Sequence, residues 1–226
     1  MIWSLKPRDR MLKTIDRTNG RLDELLAEKS GIQLDIGAGA NKQPDFVGMD
    51  LRPLPGIDIV HDVMDFPWPL PDSCVIRAIC SHLIEHLPPH PPDPKIRNLI
   101  GLLIDKGMLD DEEAKEYLGE WDSTTPRFLR FMDEVWRILK PEGQFAIVCP
   151  HGYSPGQLQD PSHINSSNET TWAYFDPLLQ MENYQTGMLW HIYKPKPWAV
   201  EKISYEPNAN MEVLLRKRQE DYSFYE

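Results

Sequence analysis

The sequence predicts an α/β fold in which a doubly wound, mainly parallel sheet carries helices on both faces. Short apolar runs alternate with helical patterns, and the first of these runs enters a glycine-rich loop at residues 37–39. The chain closes with two strand-like runs, 198–205 and 211–216, joined by a turn at 206–210. At 226 residues, we expect a single domain, residues 1–226, with room for an insertion.

The composition limits the partners that we expect. Thirty-five acidic residues against 24 basic ones give a net charge of −11. Phosphate binding needs clustered Lys and Arg, so nucleic acid is not an expected partner. We interpret the two basic clusters, 6–17 and 216–218, as solvated helix and strand ends.

Two further absences in the sequence bear on location. No apolar run approaches the roughly 20 residues of a membrane span, and the N-terminus lacks a signal-peptide core. Cys74, Cys80 and Cys149 show no Cys-x-x-Cys spacing, so we expect reduced, buried thiols. These observations predict a cytoplasmic protein that binds no membrane.

The elements follow from apolar periodicity and from Gly and Pro punctuation. We expect an N-terminal helical segment over 3–29. The predicted strands are 32–37, 46–50, 57–62, 75–80 and 144–149, before the final hairpin. The predicted helical segments are 81–87, 95–106, 110–121, 127–139 and one near 171–182, with a tight turn at 140–143.

A helical insertion is expected over about 88–125, after the fourth strand. It begins with a proline-rich piece and contains two of the predicted helices. Doubly wound folds bind ligands at the carboxyl ends of their strands, where this insertion leaves the sheet. We expect a lid, a substrate wall, a homodimer surface or additional surface helices.

The glycine loop and two carboxylates form the predicted ligand site. Asp35 lies in the first strand, Gly37 and Gly39 follow it, and Asp50 ends the second strand. Glycines let a ligand approach the backbone, and a carboxylate accepts both ribose hydroxyls of a nucleoside. The Gly-x-Gly-x-x-Gly dinucleotide fingerprint is absent because position 42 is Lys, and Asp35 would repel a pyrophosphate but attract a cationic ligand.

The segment from Leu34 to Asn41 resembles the first motif of class I S-adenosylmethionine-dependent methyltransferases, of the small-molecule, type 11-like kind. Three further segments agree with that family in order and spacing: 61–72, 81–87 and 134–145. The family usually has a third glycine at the position of Asn41. The resemblance implies a Rossmann-like, seven-stranded sheet with one antiparallel strand near the end.

The resemblance also implies S-adenosylmethionine as the cofactor and assigns residues to it. Asp35, Gly37, Ala38 and Gly39 would line its methionine end. Asp50 would hold the ribose hydroxyls. The residues implied around the adenine and the sulfonium are Leu51, Asp62, Val63 and Ser81.

Three histidines are candidates for the general base. His82 would lie beside the sulfonium, facing the substrate, or form a structural hydrogen bond at the strand end. His151 and His163 follow the fifth strand, in loops that should overhang the site. Both could instead serve loop structure, or hold a metal together with Asp160.

Residues 82–86 also read His-x-x-Glu-His, the inverted zinc-peptidase pattern. The prolines at 88 and 89 end that helix, and no obvious third ligand follows, although Glu112, Glu113 and Glu116 are not excluded. We therefore assign no metal.

The resulting prediction is methyl transfer to an O or N nucleophile of a small molecule, such as a sugar. Two alternatives remain open: a nucleic-acid or protein methyltransferase, and a non-catalytic methyltransferase-like interaction module.

Overall fold

The fold is described by a computed structural model that covers residues 21–27, 30–88, 94–108, 110, 126–182 and 195–219. The predicted helical segment before residue 21 lies outside the described residues. So do the candidate metal ligands Glu112, Glu113 and Glu116, together with most of the second predicted insertion helix. The single-domain prediction stays a prediction.

Seven strands form one sheet, as predicted. In chain order they are β1 (Ile32–Ile36), β2 (Val47–Asp50), β3 (Ile59–Val60), β4 (Val75–Ser81), β5 (Leu139–Pro150), β6 (Trp198–Tyr205) and β7 (Asn210–Lys217). Their spatial order is β3-β2-β1-β4-β5-β7-β6. Strand β7 runs antiparallel to both of its neighbours, and the other pairs are parallel. The predicted mainly parallel sheet with one antiparallel strand near the end is confirmed.

Helices connect the strands. They are α1 (Arg21–Ala27), α2 (Pro94–Asp105), α3 (Arg127–Ile138), α4 (Pro155–Gln159), α5 (Glu169–Ala173) and α6 (Pro177–Glu182), with a 3-10 turn at Ile84–His86. Among the described residues, none of these helices is both long enough and apolar enough to cross a bilayer.

The core lies between the sheet and the amphipathic helix α3. Phe131, Met132, Val135 and Ile138 on α3 have no exposed surface, as their periodicity predicts. On the same helix Glu134 is buried. It accepts the Trp68 backbone N–H at 2.6 Å and pairs with Arg137 at 2.6 Å. This pair ties the proline-rich loop before β4 to the helix.

The third predicted strand, residues 57–62, is wrong in length, because only Ile59 and Val60 pair with β2. The Asp58 carboxylate accepts the Gly48 N–H at 2.8 Å, and the Asp58 and His61 N–H groups donate to carbonyls of β2 on either side of the short strand. Beyond the strand, the Asp62 carboxylate accepts the Met64 N–H and starts a turn.

The predicted tight turn at 140–143 lies inside β5. Pairing with β4 passes from Leu139 directly to Gln144, so the residues between them bulge out of the ladder. Pro141 cannot donate to a ladder, and Glu142 has a φ of +60°. The local turn was predicted correctly, but β5 continues through it, and the register of its pairing with β4 shifts at this bulge.

The predicted helix near 171–182 is two helices, α5 and α6. Pro177 cannot donate an N–H into a preceding turn, so the first helix ends before it. Buried Asp176, between them, accepts the N–H groups of Leu178 at 3.1 Å and Val200 at 2.9 Å. The Asp176 carboxylate thereby links the junction of α5 and α6 to β6.

The expectation that residues 216–218 are solvated ends is wrong for Lys217, which is 3% exposed. Its ammonium donates to the Leu139 carbonyl at 2.7 Å and lies 3.9 Å from the centre of the Trp136 ring. Burial lowers the pKa of this amine. The flanking arginines pair with acids: Arg216 with Glu142 and Glu201, Arg218 with Asp176.

The three cysteines are unpaired and buried, as expected. Burial raises the pKa of Cys74 and of Cys149 to about 11 and that of Cys80 well above its usual value. The thiols are therefore protonated and weakly nucleophilic at neutral pH.

Candidate active site

The loop after β1 is folded over the end of β2. The N–H groups of Gly37 and Ala38 both donate to the Met49 carbonyl, at 2.8 and 3.1 Å. Gly37 and Gly39 have φ values of +70° and +58°, a region that favours glycine. Asn41 does not have a positive φ, so this position does not require the glycine that the resembling family usually has there.

The two glycines are needed for different reasons. A Cβ on Gly37 would lie 2.9 Å from Leu83 Cδ2, so this glycine allows close packing inside the protein. A Cβ on Gly39 would meet nothing nearer than the Arg52 side chain at 3.9 Å. It would make only ordinary van der Waals contacts, so the missing side chain leaves the Gly39 backbone accessible to a ligand.

Asp35 and Asp50 hold the two sides of this loop. The Asp50 carboxylate accepts the Gly39 N–H at 2.9 Å and the Arg52 N–H at 2.9 Å. The Asp35 carboxylate accepts the Gln43 N–H at 2.8 Å. Both side chains are buried. Both acids therefore line the same loop.

The charge of Asp35 is destabilised by its surroundings. Burial raises the pKa of Asp35, the Gln43 hydrogen bond and the Lys42 ammonium oppose that rise, and the negative charge of Asp50 adds to it. Two neighbouring buried carboxylates make this loop favourable for a cation.

The next three predicted cofactor residues differ in exposure. Leu51, directly after Asp50, is 64% exposed and offers an apolar surface at the mouth of the loop. Asp62 is exposed, with one carboxylate oxygen occupied by the Met64 N–H at 2.9 Å. Val63 is buried, and its carbonyl accepts the Trp68 indole N–H.

His82 follows Ser81 at the carboxyl end of β4, where both residues are exposed. Its φ is +52°, a strained conformation for a residue other than glycine, and such strain concentrates at functional sites. Its N–H donates to the Val148 carbonyl at 2.9 Å, which fixes the backbone to β5.

The imidazole of His82 is oriented by two partners. Nδ1 lies 3.1 Å from Glu85 Oε1, and a carboxylate there requires a proton on Nδ1. Nε2 lies 3.3 Å from the Asn210 amide nitrogen, which donates to its lone pair. A ring with its proton on Nδ1 has Nε2 as the acceptor nitrogen, and this is the form that a general base needs once Asn210 releases Nε2.

His151 is held differently. Its Nδ1 accepts the Tyr153 N–H at 3.2 Å, and its Nε2 lies 3.4 Å from Glu169. The Tyr205 hydroxyl donates to the same carboxylate. The hydrogen bond from Tyr205 is the main cause of a lowered pKa of Glu169, and His151 adds to it. The basic nitrogen of His151 is thus occupied by a backbone donor.

His163 faces the protein rather than the loop mouth. Its side chain is 10% exposed, Nε2 lies 3.6 Å from Asp160, and its ring centre is 4.8 Å from that of His86. The sequence interpretation grouped His151, Asp160 and His163. The hydrogen bonds and ion pairs place only Asp160 with His163, because His151 turns toward Glu169 instead.

Sequence reasoning missed Asn210, Glu169 and Tyr205 as members of this region. Glu85 was considered only as part of the His-x-x-Glu-His pattern, whereas it is 1% exposed and orients His82. The spacing of three between His82 and Glu85 is a signal that could have indicated the pair. Asn210 carries no such signal, since 128 residues separate it from His82.

Comparison with known proteins gave structural matches only. No family model matches the chain, and no curated protein matches it. Among solved structures, the chain is similar to a type 11 methyltransferase, described as putative, from Sulfolobus solfataricus, at 14% identity, covering 93% of this chain and 98% of that one, with a TM-score of 0.45.

It is also similar to a SAM-dependent methyltransferase from Aquifex aeolicus at 13% identity, covering 88% and 94% of the two chains, with a TM-score of 0.41. A third match, 1,6-didemethyltoxoflavin-N1-methyltransferase from Burkholderia thailandensis, has 12% identity, coverages of 90% and 80%, and a TM-score of 0.46. At these identities and TM-scores the likeness carries no argument about activity or substrate. The sheet of this chain has the architecture that the sequence resemblance to class I methyltransferases implied.

Proposed function

We propose that the protein is an S-adenosylmethionine-dependent methyltransferase that acts on an O or N nucleophile of a small molecule. One observation carries the proposal: Asp35 and Asp50, both buried, hold the same glycine loop, whose Gly39 backbone is open. Negative charge beside an open backbone suits a nucleoside ligand that carries a positive charge. It does not suit a phosphorylated dinucleotide.

The residues present fit that cofactor. Asp35, Gly37, Ala38 and Gly39 would hold its methionine end. A carboxylate offers about four acceptor positions, so Asp50 can accept ribose hydroxyls in addition to its N–H donors. The Arg52 guanidinium lies 3.3 Å from Asp50 and is 65% exposed, so it can move away from the carboxylate.

The adenine would lie against Leu51, whose side chain is exposed. Asp62 and Val63 would border the ring edge, and Ser81 would face the sulfonium. When bound, the cofactor supplies an activated methyl group, so the protein has to position the acceptor and remove its proton.

We assign the removal of the acceptor's proton to His82. Its Nε2 is the lone-pair nitrogen, Glu85 holds Nδ1, and the side chain is 51% exposed at the end of β4. Asn210 would release Nε2 to the acceptor hydroxyl or amine. His151 is the second candidate. The position of His163 favours a different role, because its ring is turned inward.

A small-molecule acceptor is favoured over nucleic acid. Arg216 and Arg218 are neutralised by acids, and Lys217 is buried. The described residues thus keep no free basic patch at this strand end, and the net charge is −11. A protein acceptor and a non-catalytic interaction role are the alternatives that the experiment separates. A cytoplasmic location and a homodimer remain predictions.

The test has two stages. Calorimetry with S-adenosylmethionine and with its demethylated product should show binding, and absence of binding at millimolar ligand would remove the proposal. A metabolite library is then screened with methyl-labelled cofactor, beside nucleic-acid and protein acceptors. Label on a small molecule supports the proposal, and label on a macromolecule alone overturns its substrate class.

The same assay tests the base. His82→Ala should lower turnover by about 10²–10⁴-fold, the usual contribution of a general base, and leave the cofactor dissociation constant unchanged. His61→Ala is the matched control, because within the described part of the chain the only hydrogen bond of the His61 ring is with the Asp65 carbonyl. Equal turnover in both variants would exclude His82.

A further inference from the structure

The 3-10 turn after β4 and the loop 160–165 enclose a second group of polar side chains. Glu85 and His86 lie on the turn, and His163 lies on the loop. One potential ligand atom from each residue lies within 4.8 Å of the other two. None of these three residues is needed to bind the proposed cofactor.

Two buried atoms in this group have no hydrogen-bond partner among the described residues: Glu85 Oε2 and His163 Nδ1. An unpartnered buried carboxylate oxygen costs free energy, and so does an unpartnered imidazole nitrogen. Both costs disappear if the two atoms share a cation.

The surroundings of each histidine indicate which ring nitrogen is available to a cation. His163 Nε2 lies 3.6 Å from the Asp160 carboxylate, an ion-pair distance that favours a proton on Nε2, and His163 Nδ1 is the buried nitrogen without a partner among the described residues. His86 Nδ1 lies 3.1 Å from the Ser162 hydroxyl oxygen and 3.3 Å from its carbonyl oxygen. The Ser162 hydroxyl donates to Asp160, so His86 Nδ1 is the donor and Nε2 is available.

Metal-binding histidines are commonly held in this way, with the second ring N–H of each imidazole directed at a carboxylate or carbonyl oxygen. The carboxylate of Glu85 is held as well, because its other oxygen pairs with His82.

The two segments are also fixed relative to each other before any ion binds. The Glu85 carbonyl accepts the N–H groups of Ile164 and Asn165, at 2.9 and 3.0 Å. The Asn165 amide donates to the Ile84 carbonyl at 3.0 Å. Folding therefore already supplies much of the order that the ligands need, which reduces the entropy lost when an ion binds.

We propose that Glu85, His86 and His163 bind one divalent transition-metal ion, with zinc as the best match. Two imidazole nitrogens and one carboxylate oxygen form a known zinc ligand set that leaves a fourth position for water. Ligand atoms around tetrahedral zinc lie about 3.4 Å apart. The group therefore has to contract, and the exposed His86 side chain can rotate to do so.

This set differs from those considered in the sequence. The inverted peptidase pattern pairs His82 with His86, but His82 Nδ1 faces Glu85 instead of a shared ligand position. The third ligand comes from a loop 77 residues beyond His86 in the chain, by the difference between positions 163 and 86. An ion here would fasten the loop 160–165 to the end of β4.

The experiment measures metal binding by the full chain after chelator treatment and needs no cofactor or substrate. Zinc is titrated in competition with a chromophoric chelator, and cobalt is used as a spectroscopic probe. We expect one ion per chain, an intense visible cobalt spectrum typical of tetrahedral coordination, and a higher melting temperature with zinc.

Three variants locate the site. His86→Ala and His163→Ala should each abolish stoichiometric binding and the zinc-dependent rise in melting temperature. Asp160→Asn should weaken binding by about 10–100-fold, as loss of a partner that supports a metal ligand does, because Asp160 pairs with His163 and accepts the Ser162 hydroxyl beside His86. His61→Ala, which removes a histidine elsewhere, should bind like the wild type.

His86 is exposed, so its truncation leaves the core intact and keeps the test valid if His163→Ala fails to fold. Absence of stoichiometric binding by the wild type at micromolar zinc would overturn the proposal. Undiminished binding by His86→Ala would also overturn it.

Discussion

Replacing Asp50 with alanine is expected to weaken cofactor binding by about 1–3 kcal/mol, the range for losing charge-assisted hydrogen bonds. At 1.36 kcal/mol per tenfold change, this is about a 5- to 150-fold rise in the dissociation constant. The reason is that Asp50 would hold the ribose hydroxyls and also positions the loop through Gly39.

The same substitution carries a cost in the free protein. It leaves the N–H groups of Gly39 and Arg52 without their acceptor, and an unsatisfied buried donor costs about 1–3 kcal/mol. A chain of this size loses about 2–4 °C in melting temperature per kcal/mol. We therefore expect a folded variant with a melting temperature lower by several degrees.

Calorimetry with S-adenosylmethionine and its demethylated product measures the effect below the melting temperature of the variant. Asp72→Ala is the matched control, because Asp72 is a largely exposed acid that pairs with Arg137 before β4. It should bind like the wild type. A folded Asp50→Ala protein with unchanged affinity would show that the carboxylate does not contact the cofactor.

Two further substitutions test the loop. Gly39→Ala and Gly107→Ala both place a Cβ at a positive φ without a close contact, so each should lose about 1 kcal/mol of stability. Only Gly39→Ala should also weaken cofactor binding, by more than tenfold. Equal affinities of the two variants would contradict a ligand site at the Gly39 backbone. The raised pKa of Asp35 means that the folded state holds its proton to higher pH than the unfolded chain. Its contribution to stability therefore falls as pH rises from the ordinary value of 3.8 through the folded pKa. Asp35→Asn should therefore raise the melting temperature at pH 7, less so below pH 4, and weaken cofactor binding; a lower melting temperature at pH 7 would contradict the cost assigned to the buried charge.

The sequence predicted most of the sheet because its signals are local. Apolar runs and the glycines at 37 and 39 indicated β1 and the loop, and the periodicity of 127–139 indicated α3. The errors came from interactions between distant residues. The Asp58 side chain accepts the Gly48 N–H beside the short β3, and Asp176 links the junction of two helices to β6 where one helix was expected.

The same division holds for the site. Asp35 and Asp50 could be predicted because each follows from its own strand and from parallel strands ending at one edge. The partners of the histidines could not, because Asn210 reaches His82 only through the antiparallel pairing of β7 with β5. The group of Glu85, His86 and His163 likewise depends on how the loop 160–165 returns to β4.

The sequence by itself determined where the functional residues lie relative to the strands: a glycine loop between two acids, and histidines after the fourth and fifth strands. Short-range backbone preferences and hydrophobic periodicity are sufficient for that. Only the tertiary structure decided which nitrogen of each histidine carries a proton, since this depends on acceptors brought close by folding. The two histidines thereby differ: His82 presents Nε2 to Asn210 at the exposed end of β4, whereas His163 Nδ1 is buried near Glu85.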